Sequence, residues 1–277
     1  MSRPDDDAAT AVRSRREGLL VGAAVGAALA AGSPPPPERS RAPIALADAL
    51  LGELVGGGVD LRRMSRSWVT WYRSDGLDAD PILAMALQHL EEFDAPTDQL
   101  PQPSAIAIAA ALPAALAAAS PRAMVSGTFH VARMLDPRPT TGLVATAIVV
   151  AAAALIDGQR DVLPEAVTFL RANDAPAPLV EQFRAVARDR HIPPPSPRGP
   201  HPDPATVATW VLGELDRHSR SVDLLHNLVD AGVSSTAGAI LGALAGARDG
   251  VASWPDRWLQ GGGDDVSRRQ KMASRLG

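Results

Sequence analysis

The sequence predicts an all-α protein of about a dozen helices, on three observations. Apolar residues recur at three- and four-residue spacing along most of the chain. No segment alternates convincingly with period two, and no turn signal joins two β-branched runs. Glycines recur every four residues in two stretches: Gly18, Gly22 and Gly26 near the start, and Gly238, Gly242 and Gly246 near the end. On a helix that spacing lines them along one face. A glycine inside a helix is about 1 kcal/mol less favourable than alanine. Two such rows therefore predict two helices, one from each end of the chain, packed backbone to backbone.

Taken in order, residues 1–16 are polar and are expected to be disordered or frayed. Glu17–Gly32 is the first glycine-rowed helix, and Pro34–Pro37 stops it. Ile44–Val55 is helical up to Gly56-Gly57-Gly58. Asp60 reads as an N-cap, followed by Leu61, Met64, Trp68, Trp71 and Tyr72 on one helical face, where they suit a core. Asp78 and Asp80 are a close acidic pair at the next helix start, where acids meet the helix dipole, with Pro81 in the first turn.

Ser104–Ala119 is a run of alanine, leucine and isoleucine broken at Pro113. Pro121–Leu135 and Thr140–Ile156 follow as helices, the second ended by Asp157-Gly158. Asp161 is expected to cap a helix to Leu170, and Pro178–Arg190 reads as a surface helix. The stretch 191–204 holds seven prolines between Pro193 and Pro204, too many for a helix or strand. It is expected to be a surface loop within one domain, since the two glycine rows lie on either side of it. Pro204–Arg217 and Ser221–Val229 lead to the loop AGVSST and the second glycine-rowed helix, which stops at Arg248-Asp249-Gly250. Residues 261–277 are glycine-rich and then charged, and are expected to form a loose tail after a domain spanning 17–260.

The 277 residues are 46% hydrophobic and 21% charged, as in an ordinary soluble protein. A net charge of −4 gives no reason to expect nucleic acid or an anionic membrane as partner. With no cysteine there is no disulfide, thiolate metal site or cysteine nucleophile. Gly18–Gly32, Gln102–Ser120 and Pro139–Ile156 are uncharged, but alanine dominates them. They read as buried helices rather than membrane spans. The first residues place acids before their basic cluster, unlike a secretory signal, so a cytoplasmic protein is expected.

Both ends of the chain resemble the ADP-ribosylglycohydrolase family. The resemblance rests on GLLVGAAVGAAL (Gly18–Leu29), on AGVSSTAGAILGALAGA (Ala231–Ala247) and on Ser253-Trp254-Pro255-Asp256-Arg257-Trp258-Leu259. The family pattern is GxxxGxAxGDALG at the first and GGDTDTxAxxxGAxxGA at the second. The resemblance implies a single-domain orthogonal helical bundle. It also implies two divalent metals, magnesium or manganese, held by aspartates of a TDDT-type motif and of GGDTDT, which position ADP-ribose and an attacking water.

The positions aligned with those acids are not acidic here. Val233 and Ser235 stand at the two aspartates of the second motif, Ser234 at its first threonine, and Thr236 keeps its type. Ala27 stands at the aspartate of the first helix, and Ser40-Arg41-Ala42-Pro43 at TDDT. A third element aligns with Ser104–Pro113, where only the proline remains. Uncharged hydroxyls cannot alone replace several carboxylates around two dications. No metal site, cofactor or catalytic residue is therefore assigned.

The expected function is that of a pseudoenzyme that binds ADP-ribose, a related nucleotide or a partner protein. Gly26, Ser234, Ser235 and Thr236 are the expected ligand-binding residues, since a loop before a helix N-terminus can hold an anion. His130 joins them because Thr128-Phe129-His130 resembles a family Thr-His-Pro element. The alternative is an active hydrolase that removes ADP-ribose through a divergent site, either with metals held by acids such as Glu38, Asp48, Asp78 or Asp80 or by a metal-free mechanism. Among the other histidines, His191 and His201 fall in the proline loop, and His89 lies beside Glu91 and Glu92.

Overall fold

The structure, a computed structural model, describes residues 4–32, 41–76, 79–117, 120–189, 192–195, 203–261 and 263–276. Among these residues the chain forms fourteen α-helices and no strand. In order they are α1 (Pro4–Ala31), α2 (Ala42–Val55), α3 (Leu61–Asp75), α4 (Pro81–Phe93) and α5 (Ile106–Ala111). After a 3-10 turn at Leu112–Leu116 come α6 (Pro121–Leu135), α7 (Pro139–Ile156), α8 (Leu163–Ala172), α9 (Ala177–Arg188) and α10 (Pro204–Arg217). The last are α11 (Ser221–Ala231), α12 (Ser235–Asp249), α13 (Asp256–Gly261) and α14 (Gly263–Ala273).

The seam between α1 and α12 is the most extensive contact in the molecule. The two helices run antiparallel, Gly18 on Gly246, Gly22 on Gly242 and Gly26 on Gly238. A methyl group on Gly18, Gly22 or Gly26 would sit 2.1, 2.1 or 2.0 Å from the carbonyl oxygen opposite. No side chain fits there, which explains why glycine is kept at six positions inside helices. Around the seam, α12 is buried from Ala237 to Arg248. Trp254 closes one flank, with its ring 3.0 Å from where a Gly22 methyl would be.

The second buried layer is α5 and α7. Every residue of α5 is buried. In α7, Ala145, Ala147, Ile148, Val149, Ala151 and Ala152 are each 0% exposed. By length and composition α7 could cross a membrane, with mean hydropathy 2.0, yet 72% of it is buried inside the fold. At Pro113 the chain tightens into the 3-10 turn, because proline cannot donate to the helix ladder.

The ends of the helices follow local chemistry. Asp60 accepts the N–H groups of Arg62 and Arg63 at 3.0 and 3.1 Å and so starts α3. Met64, Trp68 and Tyr72 of that helix are buried, and Trp68 Nε1 donates to the Leu46 carbonyl at 2.9 Å. Asp80 caps α4 through Ile82 N and Leu83 N. Asp136, 0% exposed, accepts from Ser104 N and Thr141 Oγ1 and pairs with Arg138, tying the start of α7 to the approach to α5.

Three expectations are corrected. Residues 4–16 are not disordered: α1 begins at Pro4, a residue suited to a first turn, and is followed by three acids that complement the helix dipole. Further along, Arg15 donates to the Ile156 carbonyl and Arg16 to the Leu276 carbonyl, each at 3.2 Å. Nor are residues 263–276 a loose tail. They contain α14, which packs on α1, with Arg269 and Ala273 1% and 4% exposed. The start of α8 also moves, from Asp161 to Leu163, because the buried Val162 precedes the helix and Pro164 sets its first turn. The expectations for Pro34–Pro37, Glu38, Asp78, His191, His201 and most of the proline loop fall outside the described residues.

Candidate functional site at the N-terminus of α12

α11 ends at Gly232, whose backbone is left-handed with φ 61°. The chain turns there and drives Val233 into the core, 3% exposed. Ser234 then starts α12. Its extended backbone lets Oγ accept the Ala237 N–H at 3.3 Å, while its carbonyl accepts the Gly238 N–H at 2.9 Å. Ser235 and Thr236 form the first turn and are half-buried. The N–H groups of this turn lie ahead of the helix's own hydrogen-bond ladder, at the positive end of its dipole.

Gly26 lies beside this turn, its backbone against Gly238 and Gly242. Its neighbour Ala27 is 2% exposed. Along α12, Gly238 follows Ser234 by one turn, so Gly26 packs one turn away from Ser234 rather than on it. His130 stands apart from them. It is exposed on α6, which packs on α7, α5, the 3-10 turn and α4. Its Nδ1 lies 2.7 Å from the Ser126 carbonyl of its own helix, and its ring meets Phe129 edge-on.

Divalent magnesium or manganese requires several oxygen donors, carboxylates above all. Among the described residues, the side chains where α1 crosses α12 do not fit that requirement. Val233 and Ala27 offer no side-chain donor, and Ser234 already accepts the Ala237 N–H. Of the other acids considered, Asp80 caps α4. Asp48 is held at 2.7 Å by both Arg268 and Arg269 of α14. Among the described residues no three His, Asp or Glu side chains gather as they would around a metal.

The sequence reading missed this α14 arrangement. Arg269, Met272, Ala273 and Leu276 recur at helical spacing, a signal hidden by the glycines and charges before them. It also missed the corner built by the end of α12. Arg248, 6% exposed, donates to the Leu215 and His218 carbonyls at 2.8 and 2.5 Å, closing the end of α10. Asp249 accepts from Ser221 N at 2.9 Å and Ser221 Oγ at 2.6 Å, holding the start of α11. Burial pushes the Asp249 carboxyl up. The Arg248 guanidinium and the Ser221 donors outweigh burial and hold it below the usual carboxylate range.

With this geometry in hand, the chain compares with known proteins as follows. A family model described as ADP-ribosylglycohydrolase matches residues 8–277. Among solved structures, a chain described as "ADP-ribosylglycohydrolase-related protein complex" superposes with a TM-score of 0.77 at 18% identity, over 96% of this chain and 98% of that one. At that identity the likeness concerns the fold. No curated protein matches.

Proposed function

The chain belongs to the ADP-ribosylglycohydrolase family, and we propose that it is a pseudoenzyme of that family. In this reading it keeps the bundle and binds ADP-ribose, a related nucleotide or a partner protein without dimetal hydrolysis. The supporting observation is the chemistry of the turn at Ser234–Thr236. Hydroxyls and a helix N-terminus are suited to an anionic group, and the residues around them are not suited to dications. The engagement of Asp48 by two arginines points the same way, since that carboxylate already has cationic partners. A cytoplasmic location belongs to the same reading, in keeping with the burial of α7, the described helix long and apolar enough to span a membrane.

Calorimetric titration of the full chain with ADP-ribose, with and without magnesium or manganese, tests the proposal. The expected result is binding that the metals leave unchanged, weakened in Thr236→Val. Binding that requires metal, accompanied by release of ADP-ribose from a modified substrate, would favour an active hydrolase with a divergent site. Absence of binding in every condition would remove the nucleotide and leave a partner protein as the remaining ligand class.

A further inference from the structure

A cavity of about 490 Å³ opens between α10, α11 and α12. Neither Ser234, Ser235 nor Thr236 lines it. Its floor is apolar: Trp210, Leu224, Leu228 and Leu241 are each no more than 2% exposed. One wall is charged. Glu214 and Arg217, one turn apart on α10, form an ion pair with side chains 12% and 25% exposed. His218 Nε2 stands 3.4 Å from the other Glu214 oxygen, and Asn227 on α11 reaches the same nitrogen at 3.2 Å. This wall is held from behind, because Arg248 bonds the His218 carbonyl and Asp249 fixes the start of α11.

We propose that this cavity binds a small zwitterion with an apolar side chain, of the α-amino acid class. The ammonium would face Glu214, the carboxylate would lie against Arg217 and His218, and the side chain would cover the leucines and Trp210. The argument is one of charge matching. A ligand with one charge can pair with Glu214 or Arg217 only by facing its own like in the other. A neutral apolar ligand would strip water from a partly buried ion pair and return nothing to it. A zwitterion supplies one opposite charge to each member of the pair, so both stay satisfied while the apolar floor is covered. The volume falls within the range of about 300–1,000 Å³ usual for small-molecule sites. This reading does not depend on what binds at the N-terminus of α12.

The test is calorimetric titration of the full chain with L-leucine and L-tryptophan, beside two analogues of leucine that each carry one charge, 3-methylbutylamine and 4-methylpentanoate. The expected result is saturable binding of at least one amino acid, with both analogues about tenfold weaker or more. Asn227→Trp, at an exposed position on the mouth, should abolish that binding while thermal unfolding is unchanged. Leu228→Trp should also abolish binding by filling the floor, with a lowered melting temperature because the site is buried. Failure of both amino acids to bind would overturn the proposal. So would analogues that bind as well as leucine, or amino-acid binding that survives Asn227→Trp.

Discussion

Asp249 shows how one side chain can set the pH response of a corner. Its carboxyl titrates below the ordinary value of 3.8 because Arg248 and Ser221 favour the charged form more than burial disfavours it. A depressed folded-state pKa gives stability that is fully present above 3.8 and is lost as pH falls through the folded value. Asp249→Asn removes the charge but keeps the shape. It is expected to lower stability at neutral pH by about 1–3 kcal/mol, since hydrogen bonds to a charged group are lost. It should also flatten the acid limb of the stability curve. Urea midpoints of both proteins at neutral pH and near pH 3 check this, and parallel acid limbs would count against it.

At the scale of the element, glycine means different things in different helices. Gly22 is pressed against the Gly242 carbonyl, and an added methyl would lie 2.1 Å from that oxygen. Gly22→Ala should destabilise by about 3 kcal/mol through forced separation of α1 and α12, despite the better helix propensity of alanine. Gly52 in α2 is exposed and has nothing within 4 Å of an added methyl. Gly52→Ala should stabilise by about 0.5–1 kcal/mol, from propensity and lost unfolded-state freedom. Denaturant midpoints with unchanged slopes would establish the opposite signs. The seam was legible in the sequence for the same reason: a residue that is unfavourable in a helix recurs at one turn's spacing. The 3-10 turn after α5 was half legible, since Pro113 announces a break but not its geometry. α14 was not legible as an element, because its fixing contacts come from distant partners, Asp48 on α2 and α1 along its length. At the candidate turn, Ser234 as the residue that starts α12 was readable from its neighbours in the chain. The position of His130 was not, because it depends on where α6 packs.

For the whole molecule, the central contact joins the two ends of the chain. Until α12 is made, α1 has no partner for its glycine face, and contacts of such sequence separation form late and slowly. A fragment comprising residues 1–230 should therefore lack a cooperative thermal transition and bind a hydrophobic dye, while the full chain melts sharply. A sharp melt from the fragment would mean that α2 to α10 fold as an independent unit. Removing residues 263–277 should be milder, because the α1–α12 seam remains. It takes away the arginines that hold Asp48 and the covering of one side of α1, so a lowered melting temperature with cooperativity intact is expected.

The glycine seam also bears on how such a protein drifts over generations. The contact is made by backbone alone, and its six glycines offer no side-chain chemistry. Substitutions at Ala27, Val233, Ser234 and Ser235 lie beside it without touching what holds it shut. Carboxylates gathered for metals repel one another and strain a fold, so losing them tends to relax it. A single added carbon in the seam would part the two helices, whereas side chains at the neighbouring turn can change without meeting the backbone contact. An architecture held in this way depends little on which residues line its surface, so one bundle can carry different recognition chemistry.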